Sequence, residues 1–140
     1  SGQTKRLIEV MMAGEGNDAQ SLQAFAESED PSTVYWAAVW LGVNGTKEAK
    51  AVLENLASDE TPAVRVAAAQ ALVKIGESER IQMLMHHIND SNHLVGMYAL
   101  RAIEELGDAG KRYKSEISAA QNSPYEFSRR IARRLTKKWN

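Results

Sequence analysis

The 140-residue chain contains no cysteine, which excludes disulfides, thiolate zinc sites and a cysteine nucleophile but leaves the redox compartment open. No apolar run approaches the ~18 residues that span a bilayer. No stretch alternates apolar and polar residues as a half-buried strand does. A Ser/His/Asp order, a glycine-rich phosphate loop and an HExxH motif are also missing. These absences favour a helical protein that carries none of the common enzyme signatures.

The most informative feature that is present is an internal period of 31 residues. A fixed period of this length marks units that cannot bury their apolar face alone and must stack on their neighbours. The positions that follow this period are Gly45, Gly76 and Gly107, and also Pro31, Pro62, His93 and Pro124.

The segment from Asp59 to Gly76 illustrates one unit. Thr61 is a favoured N-cap residue, and Pro62 suits the first helical position, where a missing N–H costs nothing. Apolar residues then recur at three- and four-residue spacing, which predicts one buried helical stripe, and a glycine that tolerates positive φ ends it. The residues predicted to be buried in this unit and the next are Ala68, Leu72, Ile75, Leu100, Ile103 and Leu106.

Shorter amphipathic segments precede and separate these long helices. They are predicted at Thr4–Ala13, Ala19–Ala26, Lys47–Ala57, Glu79–Ile88 and roughly Ala109–Ala120. We therefore predict an all-α, right-handed α-α superhelix of about nine helices in about four antiparallel pairs. The helices that begin at Pro31, Pro62 and Pro124 are expected to form one layer.

The D-x-x-P-x-V-R-x-x-A-x-x-A-L pattern of Asp59–Leu72, echoed at Asp30–Leu41 and Asp90–Ile103, resembles HEAT repeats and their bacterial HEAT-like relatives. The resemblance extends over roughly Asn17–Lys138. It implies a solenoid that serves as a non-catalytic interaction or scaffold module for a protein partner or an adjacent domain of the same chain. Residues 1–140 are thus expected to be one repeat domain excised from a larger protein, with residues 1–3 a tag remnant or disordered.

A narrower resemblance concerns the string from Asp30 to Gly42, DPSTVYWAAVWLG. It is similar to the HEAT-type segment C-terminal to the catalytic domain of some bacterial sulfatases, although Val34 stands where that family typically has Arg. The resemblance implies a periplasmic or extracellular enzyme whose other part hydrolyses sulfate esters. The segment itself has no C/S-x-P-x-R string, so we expect no catalytic, cofactor-binding or metal-binding residue in it.

The three histidines, His86, His87 and His93, are the only imidazole ligands available to a metal. Adjacent residues on a helix point about 100° apart, so His86 and His87 do not easily hold one ion. No cysteine or clearly placed carboxylate supports a metal site. We interpret all three as ordinary surface or interface residues.

Trp36 and Trp40 lie four residues apart and therefore on one helical face. One period later the same positions hold the small residues Ala67 and Ala71, so each indole needs additional room. One interpretation is packing against the first helix, around Leu7–Ala13. The other is an aromatic platform for a sugar ring or a partner side chain.

The end of the chain is strongly basic. Residues 129–138 contain six cations and no acid, while the remainder has 11 Lys and Arg against 18 Asp and Glu, a net charge of −7. Phe127, Ile131 and Leu135 are expected on the opposite, inward face. The cationic face is either a solvated helix end or a surface for nucleic acid, a sulfated glycan or an acidic partner. The residues concerned are Arg129, Arg130, Arg133, Arg134, Lys137 and Lys138.

The sequence thus favours a protein-interaction module from a larger bacterial enzyme such as a sulfatase. The first alternative is a polyanion-binding module that uses the basic helix, with nucleic acid the less favoured partner. The second alternative is a HEAT-like bilin lyase or DNA glycosylase, for which no catalytic residue can be assigned here.

Overall fold

The computed structural model describes residues 2–140, and in this range the chain forms nine α-helices, several 3₁₀ turns and no strand. None of these helices is long and apolar enough to cross a membrane. The prediction of an all-α fold is confirmed. The helices are α1 (Gly2–Glu15), α2 (Ala19–Phe25), α3 (Pro31–Val43), α4 (Lys50–Leu56), α5 (Pro62–Lys74), α6 (Ile81–His87), α7 (His93–Glu105), α8 (Lys114–Ala119) and α9 (Glu126–Lys138).

Helices that follow each other along the chain pack in four pairs, α2 with α3, α4 with α5, α6 with α7 and α8 with α9. The odd-numbered helices from α1 to α9 also pack on one another in chain order, so they form one continuous layer. Two clusters of buried apolar residues surround this layer and meet at α5. The period therefore corresponds to one step along the layer, as expected of a helical repeat stack.

Each long helix of the period begins with its own arrangement of polar caps. The Asp30 carboxylate accepts hydrogen bonds from the Thr33 backbone N–H at 3.2 Å and the Thr33 hydroxyl at 2.6 Å. Thr61 holds the predicted N-cap position of α5, but its side chain makes no capping bond. Instead the Asp59 carboxylate accepts from the Thr61 backbone N–H at 2.8 Å. The predicted N-cap position of Thr61 is confirmed.

The repeated glycines follow α3, α5 and α7. Gly45, Gly76 and Gly107 have φ values of 66°, 111° and 66°, a region that L side chains rarely adopt. Each glycine reverses the chain just after its helix ends, as the C-terminal signal predicted. The 31-residue spacing of these glycines thus corresponds to three equivalent turns.

Two of the predicted helix starts need correction. Helix α9 begins at Glu126 with Tyr125 as its N-cap, so Pro124 lies before the helix rather than at its first position. At the other end, Gly2 and Gln3 are the first residues of α1 instead of a disordered segment. Ser1 lies outside the described residues.

Three of the predicted shorter helices are only partly α-helical. They begin as 3₁₀ turns at Lys47–Ala49, Ser78–Arg80 and Gly107–Tyr113 and continue as α4, α6 and α8. Such turns are frequent where a helix starts directly after a tight connection. The longest of them contains Gly107 and Gly110, whose low helix propensity disfavours an α-helix there.

The predicted core is buried with one exception. The exception is Leu106, which is half-buried because it is the C-cap residue of α7 and packs at the edge of the second cluster. Ile75 is only 7% exposed. The four remaining residues of the set have no exposed surface, namely Ala68, Leu72, Leu100 and Ile103.

Changing Ala68 to glutamate tests this packing. The residue is fully buried in α5, so Ala68→Glu places a charge where no room or partner exists. We expect a loss of roughly 3 kcal/mol or more in the free energy of unfolding, measured by urea denaturation followed by circular dichroism. Ala51→Glu on the exposed side of α4 is the matched control and should change little. Equal unfolding midpoints for the two variants would contradict the assigned register.

Candidate functional site: an aromatic groove across three helices

An open groove of about 520 Å³ crosses the layer at α3, α5 and α7. Tyr35 and Trp36 line it from α3, and Tyr98 lines it from α7. Its floor is the central helix α5, whose groove-lining residues are mostly small. We call it the aromatic groove, after Tyr35, Trp36 and Tyr98.

The repeat itself explains why the groove exists. Trp36, Ala67 and Tyr98 occupy the same position in three successive units, and all three line the groove. Because the middle residue is alanine, the two outer rings stand over a space that a larger side chain would fill. The Tyr35 ring meets the Trp36 ring edge-on, with centroids 5.2 Å apart and planes at 87°. The α3 wall therefore consists of two rings at right angles.

A buried amide ties the floor of the groove to its α7 wall. Gln70 is only 8% exposed, and its Nε2 donates to the Ala102 carbonyl at 3.2 Å and to Glu105 Oε2 at 2.9 Å. These bonds hold the Glu105 carboxylate at one end of the groove. Gln70 was not among the predicted site residues, and its one signal in the sequence is a polar residue within an otherwise apolar, buried stretch of α5.

The pKa of the Tyr35 hydroxyl responds to charged residues at the groove. Burial raises the pKa of Tyr35, and the negative charge of Glu105 raises it further. Arg101 acts in the opposite direction on the Tyr35 pKa and has the smaller effect. The charge of Glu105 on α7 therefore acts on a side chain of α3, across the groove.

The two tryptophans of α3 do not share a surface. The Trp40 indole Nε1 donates to Met11 Sδ at 3.1 Å. The ring also packs directly on Gly14, where an added Cβ would lie only 2.1 Å from Trp40 Cδ2. Trp40 thus packs on α1, as one interpretation of the sequence held, while Trp36 lines the groove. Residues four apart differ by only about 40° around a helix, so the two indoles leave the same side of α3 as expected and then contact different neighbours.

The basic face of α9 is smaller than the sequence indicated. Arg134 forms two hydrogen bonds with the Glu104 carboxylate, at 2.8 and 2.9 Å, and these lower the pKa of Glu104. Arg129 Nη1 donates to the Ser123 carbonyl at 2.9 Å. Lys138 is exposed, and its charge also lowers the pKa of Glu104. The remaining cations, all exposed, are Arg130, Arg133 and Lys137.

The inward face of α9 also differs from the prediction. Ile131 and Leu135 are buried as expected, but Phe127 is 65% exposed. Seven residues separate Phe127 from Arg134, a rotation about 20° short of two full turns, so both lie on the solvent side. Trp139, which is 6% exposed, completes the inward face instead. The four-residue spacing from Leu135 was the available signal for it.

The histidines occupy separate environments. His86 is exposed, and the buried His87 has its Nδ1 3.4 Å from an Asp90 carboxylate oxygen. His93 stacks on Tyr125 with ring centroids 4.5 Å apart. Within residues 2–140, no group of three or more His, Cys, Asp or Glu side chains is arranged to hold a metal ion.

Comparison with known families identifies the repeat units. The family model described as HEAT repeats matches residues 19–104, from the start of α2 to the last turn of α7. This range includes nearly all of the aromatic groove and excludes α9. A search of the curated proteins finds no match.

Proposed function

This chain belongs to the HEAT-repeat family, and on that premise we propose that it is a non-catalytic module whose aromatic groove holds a segment of a partner protein or of an adjacent domain. HEAT repeats generally mediate protein interaction or scaffolding. The observation that carries the proposal is the row formed by Trp36, Ala67 and Tyr98, in which two rings stand on either side of a small residue.

Several properties of the groove suit a short peptide segment. Its volume of about 520 Å³ lies within the ~300–1,000 Å³ typical of ligand sites, which favours a few side chains over a folded domain surface. Tyr98 retains 42% exposure, so an apolar ring remains available for contact. Aromatic residues dominate interface energetics because they offer large contact area with few rotatable bonds.

Binding to peptides selected from a random library tests this proposal. Peptides that bind the wild-type chain should lose at least about tenfold in affinity for the double variant Trp36→Ala, Tyr98→Ala, because its aromatic walls are gone. Affinity is measured by fluorescence anisotropy of labelled peptides. Tyr98→Ala alone removes a partly exposed ring and guards against effects of misfolding.

The matched control removes exposed apolar area elsewhere. Met12→Ala with Phe127→Ala truncates two side chains that are 66% and 65% exposed on α1 and α9. This control should bind the selected peptides like the wild type. Selected peptides that bind the groove variant and the control equally well would refute the aromatic groove as the interaction surface.

The exposed cations of α9 support a second candidate, the polyanion-binding module. Arg130, Arg133 and Lys137 are spaced so that they share one face of the helix. Their attraction for a polyanion is opposed by the net charge of −7 on the chain outside residues 129–138, where 18 acids stand against 11 cations. We therefore rank this candidate below the groove.

Charge reversal at these three residues tests the second candidate without disturbing the Arg134–Glu104 pair. If α9 binds polyanions, the wild type should bind heparin or duplex DNA at low ionic strength and release it steeply with salt. The variant Arg130→Glu, Arg133→Glu, Lys137→Glu should then not bind. The control reverses three exposed lysines on other elements, Lys5, Lys47 and Lys111, for the same change in net charge. No binding by the wild type at low salt would end this candidate.

The sulfatase context is the remaining prediction, and the comparisons lend it no support. The aromatic residues of the string from Asp30 to Gly42 have local roles, since Trp36 lines the groove and Trp40 packs on α1. A bacterial origin, a periplasmic or extracellular location, and the bilin lyase or DNA glycosylase alternative are likewise unsupported. An upstream reading frame with a C/S-x-P-x-R string would establish the sulfatase context.

A further inference from the structure

The three rings of the aromatic groove are arranged in a way that suits a cation. Tyr35 and Trp36 form a corner, with their planes at 87°, and Tyr98 lines the same groove from the neighbouring helix α7. Rings that surround a point from several sides attract an ammonium or guanidinium group through their quadrupoles. An uncharged apolar ligand would gain the contact area of these rings but not this electrostatic attraction.

A carboxylate lies at the same groove. Glu105 lines it, and the bond from Gln70 Nε2 at 2.9 Å fixes one of its oxygens. Its charge reaches Tyr35, where it raises the hydroxyl pKa more than Arg101 lowers it. A positive charge that enters the groove therefore meets an ordered acid as well as aromatic faces.

The groove lining also contains a cation. Arg101 lines the groove from α7, one turn before Glu105, and its effect on the Tyr35 pKa is smaller than that of Glu105. The guanidinium of Arg65 donates instead to the Asp59 carbonyl at 2.7 Å. Because a hydrogen bond from Gln70 fixes Glu105, this carboxylate offers an ordered partner to a basic ligand.

Building on the function proposed above, we propose that the aromatic groove recognises a lysine or arginine side chain of an extended basic segment in the partner protein. The cation enters between the Trp36 and Tyr98 rings and pairs with Glu105. The flanking residues of the segment run across α5, over the small side chains of the groove floor.

The probes are acetylated nine-residue peptides, Gly-Ser-Gly-Leu-X-Leu-Gly-Ser-Gly amide, in which X is arginine, lysine, norleucine or glutamate. Binding is followed by NMR through the three indole N–H signals of the chain. Trp36 lines the groove, whereas Trp40 packs on α1 and Trp139 is buried beside Gly110, so the latter two are internal controls.

We expect the arginine and lysine peptides to shift the Trp36 signal with affinities at least about fivefold higher than that of the norleucine peptide. Glu105→Gln should weaken the basic peptides roughly fivefold and leave the norleucine peptide unchanged. The matched control, Glu116→Gln, makes the same change in net charge at an exposed residue of α8 and should have no effect.

Three results would overturn the inference. They are equal affinity of the norleucine and basic peptides, preference for the glutamate peptide, and the absence of any shift at Trp36. The library selection separates this inference from the proposed function. Groove-dependent peptides without a basic residue would refute cation recognition alone, whereas a lack of groove-dependent peptides would refute the interaction groove itself.

Discussion

Helices α3 and α5 approach each other closely, and the neighbouring long helices α1 and α7 stack on either side of this pair. A Cβ on Gly42 would lie 2.7 Å from the Cα of Ala71, so only glycine permits this spacing. On α5, Ala68 is fully buried and Ala71 nearly so, and both belong to the cluster that contains the α3 residues, so they leave little side-chain bulk between the two helices. Dense packing of this kind tolerates few changes in volume, because a void or an overlap is not easily relaxed. The central helix α5 thus holds its neighbours in a repeated geometry.

The aromatic groove follows from that geometry combined with one irregularity. Equivalent residues in successive units point to the same side of the layer, as Trp36, Ala67 and Tyr98 do. A uniform row of large side chains would close the surface, and a uniform row of alanines would offer little to contact. The order large, small, large makes a walled space, and the Gln70–Glu105 bond adds a fixed charge to it. On the basic helix α9, by contrast, Arg134 is already paired with the Glu104 carboxylate.

Most of the fold was predictable, because the signals that define it are local and repeated. A polar residue before each of α3, α5 and α7, the apolar stripe, and the glycine after each of these three helices recur every 31 residues, and one clear unit allows the others to be aligned. The site was less predictable, because it depends on which neighbour a side chain meets. The sequence showed that Trp36 stands where the next unit has Ala67, and it offered packing on α1 for the tryptophans. It could not show that Trp40 packs on Met11 while Trp36 lines the groove. The hydrogen bonds between Arg134 and Glu104, which lie 30 residues apart, could not be predicted from the sequence either.

In the proposed function, the small residue between two aromatic walls creates the interaction surface. The most direct measurement is the affinity of groove-dependent peptides for Ala67→Tyr, which installs at the middle position the residue that α7 carries as Tyr98. We expect this variant to lose peptide binding by at least about tenfold. Because Ala67 is only 4% exposed, the fold of the variant is checked by far-UV circular dichroism, and Ala51→Tyr on exposed α4 should bind normally. Undiminished peptide binding to a folded Ala67→Tyr chain would refute the aromatic groove as the interaction surface.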